Sequence, residues 1–174
     1  MLTVRKLLRR GKVLCSLCHG TLSVHGSYRR KIKNEEKPEY GWIVQGHCQS
    51  CNTYPAIIPE FIMPQKHYSA DTVERVIMAH ENGVNIEGLD GCPADISTMR
   101  RWVSQFSERG TQAVGKLASI LLNLREEHIS VIELLGKPLL KQLDRLLRAC
   151  PVPVNGCIIG RTNIVLTTQN CGFL

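Results

Sequence analysis

Several things are scarce or missing in this chain of 174 residues, and each absence excludes something. Aromatic residues are sparse, at 5%. No apolar run approaches the ~20 residues that a membrane-spanning helix needs, so no membrane partner is expected. Residues 1–12 are basic, and Leu7-Leu8 is their one apolar pair, which does not match the apolar centre of a secretory leader. The reducing cytoplasm is therefore the expected compartment. No Gly-rich phosphate loop, nucleophile elbow or paired metal-binding carboxylates stand out. Glu126 and Glu127 are neighbours in a helical pattern, so they point in different directions. An enzyme is not expected.

What is present in quantity is cysteine: 8 residues, in a chain whose hydrophobic content of 43% allows a real core. Clustered thiols in a reducing compartment point to metal rather than disulfides. Cys15-Ser-Leu-Cys18 and Cys48-Gln-Ser-Cys51 are both Cys-x2-Cys pairs. Such a pair closes a tight turn around one ion, and two pairs fill the four positions of a structural zinc site. The surroundings lack the βαβ pattern of a redox motif. The alternatives are a redox pair or iron on the same thiolates. Gly20 follows the first pair, where lack of a Cβ lets backbone N–H groups turn toward sulfur. His19 and His47 each neighbour a ligand and are expected outside a shell that four cysteines complete. Cys92, Cys150, Cys157 and Cys171 match no metal-site spacing and read as isolated thiols.

The formal charge is +7 and the isoelectric point about 9.1, which favours a polyanionic partner. The excess is uneven. Residues 1–65 carry 10 Lys/Arg against 4 Asp/Glu, residues 66–110 carry 5 against 7, and residues 111–174 carry 7 against 4. The basic excess thus accompanies the cysteine pairs. Arg5, Lys6, Arg9, Arg10 and Lys12 form either a basic arm for phosphates or a solvated extension.

The fold class expected is α+β: a small zinc ribbon, a β-hairpin on two knuckles, followed by a mainly helical domain and further C-terminal helices. Thr21 to Val24 and Tyr40 to Val44 alternate like strands, and Asn34 to Pro38 reads as their loop. Arg29, Arg30, Lys31 and Lys33 then sit near the hairpin tip, placed for phosphates or simply solvated. Pro55, Pro59 and Pro64 forbid a helix, so residues 54–68 read as an extended linker packed down by Ile57, Ile58, Phe61 and Ile62. The expected domains are residues 1–65, 66–110 and 111–174.

Ser69 is placed to cap a helix carrying Val73, Val76, Ile77 and His80 on one stripe, with Asn82-Gly83 as its stop. A short piece follows from Val84 to Leu89, and Asp95 caps a last helix from Ile96 to Phe106. Met99, Trp102, Val103 and Phe106 share its inner face. Ser97, Arg100, Arg101 and Ser104 share its outer face. This order is that of a helix-turn-helix, with a plain helical bundle as the alternative. Arg100 and Arg101 can reach guanine in a major groove. Residues 111–149 read as helices offering a surface for a homo-oligomer or protein partner, or for the chain's own core. Cys157 to Ile159 and Asn163 to Thr167 read as strands of a short terminal hairpin around Gly160-Arg161.

The two Cys-x2-Cys pairs, the basic hairpin, Ile57-Ile-Pro-Glu-Phe61, Tyr68-Ser69 and Ser97-Thr-Met-Arg-Arg-Trp102 together resemble the N-terminal region of insertion-sequence transposases. They also resemble small proteins of bacterial mobile elements that keep that region alone. The resemblance covers roughly residues 13–107. It implies a zinc ribbon and a helix-turn-helix that recognise DNA at element ends or a regulatory site. The 67 residues after Ser107 leave too little room for a catalytic transposase domain. A zinc-stabilised protein-interaction or scaffold module is the alternative.

Overall fold

The computed structural model describes residues 2–124, 134–150 and 155–168. Helix α1 (Leu2–Arg9) precedes strands β1 (Leu22–Ile32) and β2 (Glu39–Cys48), which form one long antiparallel hairpin. A two-residue strand, β3 (Ala56–Ile57), adds to β2, giving the sheet order β1-β2-β3. Then come α2 (Ala70–Glu81), a single 3-10 turn (Ile86–Gly88), α3 (Ile96–Leu124), α4 (Leu139–Ala149) and α5 (Ile158–Thr168). The α+β architecture is therefore as expected: a ribbon-like sheet beside a cysteine cluster, then helices.

The hairpin is longer than its alternating stretches imply. Pairing runs from Leu22↔Cys48 to Ile32↔Glu39, with a bulge between Val24 and Gly26. Arg29, Arg30 and Lys31 are thus in β1, opposite Trp42, Gly41 and Tyr40, and not in the loop. Strand geometry sends them to alternate faces. One face buries Ile32 and Ile43 against Ile62 of the linker. Gly41 makes that contact possible, since a Cβ there would lie 2.9 Å from Ile32 Cδ1. At the end nearest the cysteine pairs, the other face buries Leu22 and Val44 with Cys15 and Cys48 under Leu8 of α1.

The linker is extended and packed, and it stitches the ribbon to the helices. Lys33 N donates to His67 O at 2.6 Å and Ser69 N donates to Lys33 O at 3.1 Å. Met63 is buried in the helical core. Ser69 caps α2 by accepting from Thr72 N at 3.2 Å, and the helix stops at Asn82, with Gly83 at φ +74°. Val73, Val76 and Ile77 are buried as expected, whereas His80 is exposed. The buried stripe continues through Glu74 instead, which has a specific task. Its carboxylate accepts from Ile159 N at 2.8 Å at the start of α5. One face further along α2, Glu81 accepts from Leu139 N at 2.7 Å at the start of α4. Helix α2 thus supplies N-terminal caps to two later helices, each answering unpaired amide groups.

Two expectations fail in the C-terminal half. Helix α3 does not end at Phe106 but runs for 29 residues, about 44 Å, across the boundary expected at residue 110. Its buried stripe continues through Phe106, Ala113, Leu117 and Leu121. Gly110 is weak as a helix former, yet it is where α4 approaches, with Leu139 Cδ1 3.0 Å from where a Cβ would be. The expected terminal hairpin is instead helix α5. Ile159, Thr162, Asn163, Val165 and Leu166 are buried at helical spacing, and Thr162 Oγ1 donates back to Ile158 O at 2.7 Å. Gly160 was read as a turn. Its real role is clearance, because a Cβ there would sit 2.2 Å from Glu60 O. Within 111–149, the described apolar residues of α3 and α4 mostly join the chain's own core; residues 125–133 lie outside the described set, as does Cys171.

Candidate metal centre and basic surface

The two cysteine knuckles are built alike, although one precedes β1 and the other follows β2. In the first, Cys15 N donates to Gly20 O at 2.8 Å; in the second, Cys48 N donates to Thr53 O at 2.9 Å. In each, the residue after the second cysteine takes the left-handed conformation: His19 at φ 57° and Asn52 at φ 51°. Non-glycine residues adopt that conformation rarely, with Asn and His enriched among them. Gly20 itself is needed for space. A Cβ on it would meet Ser50 Oγ at 2.5 Å and Cys48 Sγ at 3.2 Å, so it lets the second knuckle close on the first.

The sulfurs of Cys15, Cys18, Cys48 and Cys51 all lie within 4.8 Å of one another. Cys15 Sγ is 3.7 Å from Cys51 Sγ, and Cys18 Sγ is 3.4 Å from Cys48 Sγ. A tetrahedral zinc with Zn–S bonds of about 2.3 Å requires sulfur separations of about 3.8 Å, so this donor set fits the ion. Among the described residues it is the one group of metal-ligating side chains so gathered. The polar surroundings fit as well. Leu17 N donates to Cys15 Sγ at 3.4 Å. Thr53 Oγ1 lies 3.0 Å from Cys51 Sγ and 3.8 Å from Cys15 Sγ.

These contacts already separate the thiols electrostatically. The Leu17 and Cys18 amides hold the Cys15 thiol down at about 6. The Cys51 amide lowers Cys48. The Gly20 amide acts to lower Cys18, but the neighbouring Cys48 and Cys51 thiols outweigh it and push Cys18 up to about 12. Metal binding uses all four sulfurs as thiolates, so an incoming divalent cation displaces whatever protons they still carry. In this module, zinc would supply a structural cross-link between the two knuckles.

Thr53 is the residue that sequence reasoning missed. The available signal was its position two beyond Cys51, matching Gly20 two beyond Cys18. His19 is exposed, and His47 makes contact outside the sulfur shell, with Nε2 3.2 Å from Asn52 Oδ1 and its ring stacked on Tyr54 at 4.6 Å.

A scan against family models matches residues 15–102 to a domain of unknown function, DUF6431. The chain belongs to that family. The match begins at the first thiol and ends at Trp102, so it takes in both knuckles, the linker, α2 and the opening turns of α3. No curated protein and no solved structure matches the chain. The matched stretch contains the cysteine cluster suited to zinc.

The residues assigned to DNA divide into engaged and exposed groups. At the start of α3, Asp95 accepts from Thr98 N at 2.8 Å and from Ser97 Oγ at 2.6 Å. Ser97 and Thr98 hold the Asp95 carboxyl down at about 2, so the Ser97 hydroxyl belongs to the cap. Arg100 is exposed but bonded to Glu87 of the 3-10 turn. Arg101 and Ser104 are exposed. Met99, Trp102 and Phe106 are buried behind them, and Val103 is half-buried. On the ribbon, Arg30 donates to the Lys66 carbonyl, and Lys33 Nζ lies 5.3 Å above the Tyr68 ring, which meets Trp102 edge-on at 4.8 Å. Arg30 and Lys33 therefore tie the ribbon to the helices. Arg29 and Lys31 point away from that joint and are exposed. Lys66 lies at the junction, its amine lowered by burial and then by Arg109 and Arg101. Arg30 and Lys66 thus share one neighbourhood with Arg101 and Arg109 of α3, which Arg29 and Lys31 do not join.

Proposed function

We propose that this DUF6431 protein is a cytoplasmic, zinc-containing DNA-binding protein that recognises a specific site through the opening turns of α3. The observation that carries the reading is the side of α3 that bears exposed Arg100, Arg101 and Ser104. That side is held rigidly by the buried Trp102 and Phe106 and adjoined by Lys66 at the ribbon joint. The helix, 3-10 turn and capped helix follow the order of a helix-turn-helix, with the middle element cut to one turn. In this reading Arg101 reaches guanine directly. Arg100 leaves Glu87 for a base, which costs little because an exposed ion pair contributes ~1 kcal/mol or less. The resemblance to insertion-sequence transposases suggests a target at the ends of a mobile element or in its regulation. The chain alone neither cuts nor joins DNA in this reading.

Selection from a random duplex pool at stated salt tests it. A defined site should emerge, and Arg101→Ala should lower its affinity by about 1–3 kcal/mol and relax one or two positions. If Arg100→Ala and Arg101→Ala both keep the same site preference in folded protein, α3 is not the reader. The second reading, a protein-interaction module, has its own observation. A cavity of about 540 Å³ opens beside the first knuckle, lined by Val13, Ile57, Pro59, Ile62 and Ile164. Binding there would be apolar and nearly independent of salt, whereas phosphate contacts weaken steeply as salt rises.

A further inference from the structure

The ribbon has a second basic surface that the α3 reading does not use. Residues 2–34 contain nine Lys/Arg and no Asp/Glu. The first acid in the chain, Glu35, is already paired with Arg75 Nε at 2.6 Å. Register places Ser27, Arg29 and Lys31 of β1 on the same side of the hairpin as Val44, Trp42 and Tyr40 of β2. Helix α1 covers the metal-proximal part of this side, where Leu8 meets Val44, and Arg5 donates to Ser27 Oγ at 2.9 Å. Beyond Ser27 the side is uncovered. Trp42 is 51% exposed and Tyr40 57% exposed. They are two positions apart on a strand, so they share one side of the sheet with Cα atoms about 7 Å from one another. The Arg29 guanidinium lies 4.6 Å above the Tyr40 ring. Lys6 and Arg9 of α1, and Arg10 just after it, are exposed.

In a chain so poor in aromatics, two exposed rings flanked by cations on one rigid sheet need a physical account. Apolar packing against another chain is poorly served here, because a second copy would bring its own cations against these. Unpaired bases on a phosphate backbone meet every feature. Flat rings stack on aromatic side chains without regard to sequence, and the interleaved Lys and Arg neutralise phosphates. We propose that the Trp42–Tyr40 side of the ribbon, with Arg29, Lys31 and the basic side of α1, binds single-stranded nucleic acid by base stacking. This site is separate from α3 and does not rest on the duplex-reading proposal. Its partner is an unpaired strand, such as one exposed where a duplex opens.

Only two tryptophans are present, and Trp102 is 1% exposed, so quenchable emission reports on Trp42. The zinc-loaded full chain is titrated with oligothymidylate, oligouridylate and a blunt duplex of equal length. Quenching by the single strands, weaker for the duplex, is expected; the ratio of the first two distinguishes DNA from RNA. Trp42→Ala should weaken oligothymidylate binding about tenfold, measured by anisotropy of a labelled strand, and Trp42→Phe should restore most of it. Arg29→Ala and Lys31→Ala should each make the salt slope shallower by about 0.7. Arg100→Ala should leave all of this unchanged, so failure of the α3 reading and failure of this one are distinguishable. Trp42→Ala removes an exposed side chain, and unchanged metal content and Trp102 emission would show that it folds. Unaltered oligothymidylate affinity in folded Trp42→Ala overturns the proposal. So does quenching by polyglutamate, or a shift with anionic phosphatidylserine vesicles, as large as that with oligothymidylate.

Discussion

The two halves of the molecule are held together by different means. In the ribbon, the larger buried cluster consists of Leu8, Cys15, Leu22, Val44 and Cys48, so two of its members are thiols of the candidate metal centre. The smaller cluster is Ile32, Ile43 and Ile62. In the helical half, Trp102 and Phe106 pack with leucines from α3 and α4, Val73, Val76 and Ile77 of α2, and Ile159 and Leu166 of α5. A segment with so few apolar residues gains little from burial alone, and a metal on its cysteine cluster would add the missing cross-link. The helical half has the larger core, and it spends polar groups on caps instead. Where a core is small, ligand chemistry specifies the fold; where it is large, ligand chemistry is dispensable.

Metal removal should break this comparison most severely. Purified protein should hold about one zinc per chain, and Cys48→Ser or a strong chelator should remove it. The ribbon should then lose its strand signal and the environment of exposed Trp42, while helical circular dichroism and the buried Trp102 emission persist. Loss of both signals together would show that the helical half depends on the metal as well. Zinc retained at full level by a variant with all four knuckle cysteines changed to serine would remove the assignment.

Trp102→Ala tests the opposite half. Its ring is buried and meets Tyr68, so the change should destabilise the helices by about 3–5 kcal/mol, read by chemical denaturation. Zinc content should stay at the wild-type level. Zinc lost in parallel would mean that the joint through Lys33 and Tyr68 makes one cooperative unit of both halves.

The smallest effect sharpens the comparison locally. Ser97 and Thr98 lower the Asp95 carboxyl from its ordinary value of 3.8 to about 2. The folded state therefore favours the charged cap, and its contribution is present above pH 3.8 and lost as pH falls toward 2. Hydrogen exchange at the first amides of α3 should accelerate across that window, and Asp95→Asn should flatten the dependence. A wild-type profile without that acceleration would show that the cap does not control the start of the helix.

Local chemistry made much of this readable without coordinates. The paired Cys-x2-Cys spacing located the donors, Ser69 and Asp95 announced two helix starts, and Met99, Trp102 and Phe106 announced the inner side of α3. These features were legible because each depends on residues within one or two turns of chain. That β1 extends through Arg29–Lys31 was not legible, because alternation weakens where Gly26 and a bulge interrupt it. Nothing local indicated that Arg30 and Lys33 serve the joint between halves, since their partners, Lys66 and Tyr68, lie far along the chain.

The sequence by itself determined the donor set, the basic bias of the N-terminal region and the class of fold. Only tertiary structure decided the rest. Ile158 to Thr168 is rich in β-branched residues and reads as strand, yet it is helical because Glu74 caps its first amides and α2 buries its inner side. Gly110 is a weak helix former, yet α3 passes through it, and α4 packs into the space a side chain would fill. Propensity amounts to less than ~1 kcal/mol per residue, and a buried apolar side chain contributes about 1.5–3 kcal/mol. Distant packing therefore prevails wherever it and local preference disagree.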